Sequence, residues 1–321
     1  MGNETWYDVF LELISKKYPK KTLLTQAIME MLPLEREAVY RRLRRDVVFT
    51  AHEIVKIASD WNISLDELVG VDSKKVAFQM QQMDYLNPSE EEMNFLKRII
   101  QSFVYFENFP DTEFMDVCNK LPRQLTSGFE NLNRFLLFKW KYQYNDVEKE
   151  ALPYSQVIPS EKMQQLTADY YQKVKLVPNA SFIWDRLIFE YLINDIRYFF
   201  YIYLITKNEK DLIKKDLHDF LDYMEEVANK GCYPETQKKV NLYISQLNVD
   251  TNYSYVFTPE GNICFIHVFD KFEIYSYNKE MIEKFITWMQ LRKRSSIQIS
   301  EVDAKSRIEF FAKQRQLVDS L

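Results

Sequence analysis

The sequence predicts a mainly α protein: a small N-terminal helical domain, then a larger helical domain that carries a small antiparallel β-meander near its end. Three observations predict it. Only five glycines occur in 321 residues, too few for the turns of an all-β protein or the glycine-rich loops of a nucleotide-binding α/β protein. Apolar residues recur at helical spacing over most of the chain. Near Asn252 that spacing gives way to alternation. Residues 1–72 are expected to form the first domain, 73–88 a linker, and 89–321 the second, with the meander at about 252–278.

Taken in order, residues 5–18 read as a first helix, with Trp6, Val9, Phe10, Leu13 and Ile14 at helical spacing and Pro19 as its stop. A second helix runs over about 22–31 and ends before Pro33, and a third covers about 35–45. Thr50 with Glu53 makes a capping box that opens a fourth over 51–61, and Ser64 with Glu67 another that opens a short fifth through Val69. Gly70 to Lys75 is the expected boundary. After the Gln- and Met-rich segment 78–83, Ser89 and Glu92 form a third capping box. Helices are then expected at about 90–106, 111–120, 123–143, 160–176, 180–206, 209–229 and 235–248, punctuated by Pro153, Pro159, Pro178 and Pro234. Residues 253–257, 263–268 and 272–277 alternate as three strands, with turns at Pro259-Glu260-Gly261-Asn262 and Asp270-Lys271. A helix over about 279–292, a strand-like 297–299 and a helix over about 302–318 complete the chain.

Composition excludes several classes. Hydrophobic residues at 46% and charged residues at 28% suit a folded globular chain. The three cysteines, Cys118, Cys232 and Cys264, lie far apart with no metal-ligand spacing, so free thiols in a reducing cytoplasm are expected, without disulfides or zinc. No basic region followed by an apolar run opens the chain, so no signal peptide is expected, and Trp6 breaks a myristoylation pattern after Gly2. The most apolar stretch, 182–205, carries Asp185, Arg186, Glu190, Asp195 and Arg197, which argues for a buried amphipathic helix and against a membrane span. Its aromatic stripe, from Phe182 and Trp184 to Tyr203, reads as core, with a pocket or subunit interface as the competing reading.

Catalytic patterns are missing. His52-Glu53 starts like a zinc-protease helix, but Lys56 stands where the second histidine belongs. His52 is expected to face solvent and His267 to be a satisfied sheet histidine. No glycine precedes a lysine, so there is no P-loop, and no G-x-S-x-G motif or Cys/His pair stands out. No enzyme activity, cofactor or metal is expected.

Net charge is −5, so any nucleic-acid site must be a local patch. Residues 1–72 hold ten Lys and Arg against twelve Asp and Glu, yet five of the ten residues from Arg36 to Arg45 are arginine. Residues 23–34, followed by that run, have the layout of a helix-turn-helix: Ile28, Leu32 and Leu34 lock one helix, Val39 and Leu43 the other. On a wheel of about 100° per residue, Arg41 points opposite the Val39/Leu43 side. Arg45, Glu37 and Arg44 flank it, Arg42 and Tyr40 sit on the edges, and Arg36 lies near the helix start. Guanidinium forks suit both guanine edges and phosphates. The assignment of single arginines to one or the other stays open.

With Gln26 opening the second helix, that apolar lock, and the closing run Trp61-Asn62-Ile63-Ser64-Leu65-Asp66-Glu67-Leu68, residues 20–70 resemble the Xre/Cro-like family of bacterial repressor domains. Met29 stands where that family usually has alanine, and Pro33 where it has the turn glycine. The resemblance implies a sequence-specific transcription regulator that binds double-stranded operator DNA as a homodimer. Gln26, Arg36, Glu37, Tyr40, Arg41, Arg42, Arg44 and Arg45 are the candidate contacts. Half-sites would lie roughly 34 Å apart. The larger domain would supply dimerisation and sensing of an unknown effector or protein partner. The alternative is a helical interaction scaffold whose helix-turn-helix no longer binds DNA.

Overall fold

The computed structural model describes residues 6–18, 20–61, 63, 65, 76, 78–144, 152–259, 261–268 and 272–321. The chain divides into two compact units, Met1–Ala77 and Phe78–Leu321. Among the described residues no helix is long and apolar enough to cross a membrane.

The first unit is helical: α1 (Trp6–Lys17), α2 (Lys21–Met31), α3 (Arg36–Leu43) and α4 (Ala51–Trp61). Its core draws Phe10 and Ile14 from α1, Leu24 and Ile28 from α2, Val39 from α3, and Ile54 and Ile57 from α4. The Thr50/Glu53 capping box forms, with Thr50 N–H donating to Glu53 at 2.8 Å and Glu53 N–H to the Thr50 hydroxyl at 3.3 Å. The fifth helix expected at 64–69, most of the closing run and the boundary at 70–75 lie outside the described residues.

The second unit corrects the expectation of a mainly α protein with a small β-meander. It is an α/β structure built on one mixed eight-stranded sheet. Its elements are β1 (Gln79–Gln82), α5 (Glu90–Phe106), β2 (Glu113–Cys118), the short α6 (Arg123–Thr126), α7 (Glu130–Gln143), α8 (Glu161–Lys173), β3 (Asn179–Asp185), α9 (Ile188–Tyr201), α10 (Lys207–Lys230), β4 (Lys239–Ser245), β5 (Tyr253–Thr258), β6 (Gly261–Val268), β7 (Phe272–Ser276), α11 (Lys279–Arg294), β8 (Ser296–Gln298) and α12 (Ala304–Asp319). The strand order is β1-β7-β6-β5-β2-β3-β4-β8. Only β2–β3 and β3–β4 pair parallel; every other neighbour is antiparallel.

The expected meander is therefore the β5-β6-β7 part of a larger sheet, and three segments expected as helix hold its centre. Residues 111–120 contain β2, the start of 180–206 is β3, and 235–248 contain β4. Each is covered on both faces. Ala180, Phe182 and Trp184 of β3, with Val240, Leu242 and Ile244 of β4, pack into the main core against α7, α9, α10 and α12. Met115 and Val117 of β2, Ile183 and Tyr243 face the other way, against Ile282, Phe285 and Met289 of α11. A strand buried on both faces has apolar residues in succession, and periodicity cannot separate it from a buried helix.

The helices start where the sequence marks them. Ser89 and Glu92 complete a capping box at α5, and Thr206 and Glu209 another at α10. Gly231 ends α10 at φ 68°, a left-handed turn for which glycine is suited. The residues expected as one helix over 123–143 are divided at Gly128, where a Cβ would lie 2.2 Å from the Tyr171 ring.

Candidate nucleic-acid interface and a buried polar cavity

In the first unit α2 and α3 meet across the short connection Leu32–Glu35. Val39 and Ile28 are fully buried, Leu32 nearly so, and Leu34 and Leu43 pack at the edge of the same core. Val39 facing inward leaves Arg36, Glu37, Arg41, Arg44 and Arg45 exposed, with Tyr40 and Arg42 half-buried. Gln26 is also exposed, its amide donating to Glu30 at 3.3 Å.

The arginines are not equivalent. Arg42 makes a bidentate pair with Glu53, both bonds 2.9 Å, and donates to the Ala38 carbonyl. Both side chains of this pair are largely buried. Burial pushes the Glu53 carboxyl up, but the Arg42 hydrogen bonds and those from Thr50 outweigh it and hold Glu53 below its ordinary value. Arg42 thus ties α3 to the start of α4. Arg44 bridges Glu37 at 3.0 Å and Asp46 at 3.2 Å, and Arg45 pairs with Asp8 at 2.8 Å, all on the surface. Such pairs are worth about 0–1 kcal/mol, so a phosphate can displace them cheaply. Arg36 and Arg41 make no ion pair or side-chain hydrogen bond among the described residues.

The end of α3 is unusual. Asp46 N–H donates to the Arg41 carbonyl at 2.9 Å and Arg45 N–H to that of Arg42 at 3.1 Å. This is a Schellman turn, and its left-handed position holds Arg45 at φ 70° where glycine is the common choice. A side chain there costs about 1 kcal/mol relative to glycine.

The second unit contains a site that the sequence reading missed. A cavity of about 210 Å³ lies over the face of β2, β5, β6 and β7, beneath α5, α7 and residues 120–124. Strand register assembles its floor: Asp116 pairs with Ser254, Ser254 with Phe265, and His267 with Glu273. Phe95, Ile99, Leu136 and Trp140 line its roof, and Lys120 and Arg123 one wall.

Asp116 is 2% exposed and accepts no hydrogen bond from any described residue. Burial first, and the neighbouring Glu273 second, push its carboxyl up to about 8. Glu273 keeps surface open to the cavity, yet the protein around that concavity acts on it as burial does and raises it too, with Arg123 pulling the other way. Burial lowers Lys120 to about 8, helped by Lys139, and lowers His267 to about 4, helped by Lys120. The His267 imidazole is half-buried in the cavity floor, with no hydrogen-bond partner among the described residues. Arg123 stacks on the Tyr85 ring at 3.4 Å, and its Nε is buried without a partner. Lys139 is paired with Asp195 at 2.5 Å.

The remaining candidates are placed simply. Phe182, Trp184, Phe189 and Phe199 of the aromatic stripe are core, while Tyr191, Tyr198, Tyr201 and Tyr203 are on the surface, and none of these lines the cavity. His52 is exposed. Cys118, Cys232 and Cys264 are free thiols, the first and last buried. No protein-family model, curated protein or solved structure matches the chain.

Proposed function

We propose that the chain is a cytoplasmic, sequence-specific DNA-binding regulator whose first unit inserts α3 into the major groove and whose second unit supplies dimerisation and effector sensing. The observation that carries this reading is the division of α3 into a buried Val39 side and an opposite side where Arg41 stands exposed and unpaired, with Arg36, also exposed and unpaired, at the helix start. A helix with its side chains is about 10–12 Å across, a match to a major groove about 12 Å wide. Arg36 and Arg41 are the primary contacts. Arg44 and Arg45 exchange their surface carboxylates for phosphate, with Gln26, Glu37 and Tyr40 at the margins. Arg42 acts as a positioning residue, because its guanidinium is committed to Glu53.

A second reading has one observation in its favour. Three of the five arginines are neutralised by Glu53, by Glu37 with Asp46, and by Asp8, as suits a protein-binding module. Gel-shift titration of genomic fragments at two salt concentrations separates the two. DNA binding weakens with salt by a slope of about −0.9 per phosphate contact, and Arg36→Ala with Arg41→Ala abolishes it. No retardation at low salt, or full affinity in the double variant, rejects the regulator reading.

A further inference from the structure

We propose that the cavity over β2, β5, β6 and β7 binds a small organic cation, a primary amine with an apolar body, whose ammonium group pairs with the Asp116 carboxylate while Glu273 lines the same cavity. This site belongs to the second unit alone and goes beyond the reading of α3.

A carboxyl group removed from water and given no hydrogen bond is a standing cost to the fold. The strand neighbours of Asp116 show that the position suits apolar side chains: Met115 and Val117 are fully buried on the other face, and Cys118 on the same one. A carboxyl is kept here, lining a cavity that also takes in the Glu273 carboxyl three strands away on β7. An ammonium group supplies the donors that Asp116 lacks. Of the surrounding cations, two are partly committed, which leaves an anion the Arg123 Nε and Lys120. Lys139 is held by Asp195, and Arg123 is stacked on Tyr85 with one arm directed at Thr167. The Trp140 and Phe265 rings and the Ile99 and Leu136 side chains give an apolar body its wall, and ring faces favour a nearby cation. The volume falls below the roughly 300–1,000 Å³ of drug-sized sites, which restricts the ligand to a small one.

Protonation provides a signature. Asp116 keeps its proton near neutral pH in the empty site, and the amine needs the ionised form. Binding therefore releases that proton. Affinity rises with pH up to about 8 and falls again when the amine itself loses its proton, near pH 10. The charged and titratable groups around the ligand are Asp116, Glu273, His267, Lys120, Arg123 and the Lys139–Asp195 pair. His267 is already neutral across this range, and Lys120, lowered to about 8, loses charge toward its upper end and so adds to the rise.

The test uses the full chain without DNA, so its failure and the failure of the regulator reading are distinct. Thermal-shift and calorimetric titrations compare tyramine, tryptamine, cadaverine and agmatine with 4-ethylphenol, 3-ethylindole and 4-hydroxyphenylacetate. At least one amine is expected to bind while its deaminated counterpart does not. Asp116→Asn is expected to weaken that binding by roughly tenfold or more. Calorimetry at pH 7 in buffers of different ionisation enthalpy is expected to read release of about one proton. Glu273→Gln, on a strand nearer the sheet edge, is the second variant if the first fails to fold. Binding by none of the amines, preference for the carboxylate, unchanged affinity in the variants, or no proton release overturns the proposal.

Discussion

Replacing Asp116 by asparagine is predicted to stabilise the second unit increasingly as pH rises. Asparagine keeps the shape of the side chain but carries no proton to lose. In the fold the Asp116 carboxyl is pushed from its usual 3.8 up to about 8. The folded state therefore holds this proton more tightly than the unfolded chain does. Its contribution is fully present in acid and is lost progressively as pH climbs from about 4 to about 8. At about 1.36 kcal/mol per pH unit, that interval corresponds to an ideal change on the order of 5–6 kcal/mol. A strand that yields slightly to water recovers part of it, so a growth of ~2–3 kcal/mol in the difference between variant and wild type is expected. Near pH 4 the two should agree to within ~1 kcal/mol, because a protonated aspartic acid and an asparagine are similar buried groups. Hydrogen exchange of the β2 and β3 amides measures the opening free energy of this unit by itself. Titrating groups away from Asp116 cancel in the comparison at each pH, while Glu273 and Cys118, which feel its charge, shift with it. A difference that stays flat from pH 5 to pH 8 refutes the reasoning, since Asp116 would then titrate alike in the folded and unfolded chain.

Two further perturbations test the first unit. Glu53→Ala removes the N-cap partner of Thr50 and strands the Arg42 guanidinium, and should cost about 2–4 kcal/mol in urea unfolding at pH 7. Because Glu53 is held below its ordinary 4.5, that stabilisation is present above pH 4.5 and is lost as pH falls through the lowered value, so the gap between wild type and variant should close in acid. Val39→Ala opens a gap at a fully buried position and should cost about 2–3 kcal/mol, whereas Arg41→Ala should change stability by no more than about 0.5 kcal/mol and still lose DNA retardation. Equal loss of stability in both variants would place Arg41 in the packing and remove it from the interface.

The four described helices of the first unit were legible because each buries one side. Trp6 to Ile14, Leu24 with Ile28, and Ile54 with Ile57 keep a helical period, and Thr50/Glu53 marks a start that the hydrogen bonds reproduce. The β5-β6-β7 strands were legible from their alternating residues and the turn residues between them, and most of their residues are only partly buried. The centre of the sheet gave no such contrast. In β3, Ala180 to Asp185 are all buried, and in β2, Met115 to Cys118. Sheltered on two sides, these segments show a run of apolar residues and no period. The few glycines misled for a related reason. Only the β5–β6 and β6–β7 neighbours follow one another directly in the chain, and the other pairs are reached through helices or distant segments, so a large sheet was built with few tight turns and little glycine.

The two candidate sites differ in how far sequence could lead. Arg36 to Arg45 is a local concentration, and a helical wheel orders its exposure once Val39 is taken as inward. What the wheel could not supply is that Arg42, on its edge, is tied to a carboxylate eleven residues ahead, or that Arg44 and Arg45 meet acids from α3 and α1. The cavity was beyond local reading, because its members come from β2, β6 and β7 and from the segments around α5 and α7. One trace was present in Asp116 itself, a lone carboxyl among Phe114, Met115, Val117 and Cys118. On a helix, which was the expectation there, such a residue can turn to solvent and means nothing. On a strand covered on both faces it can only face the cavity, and the same residue becomes a buried acid with no hydrogen-bond partner among the described residues. The chemical meaning of this position thus depends on the secondary structure, and correcting 111–120 from helix to strand is the step that makes the site visible.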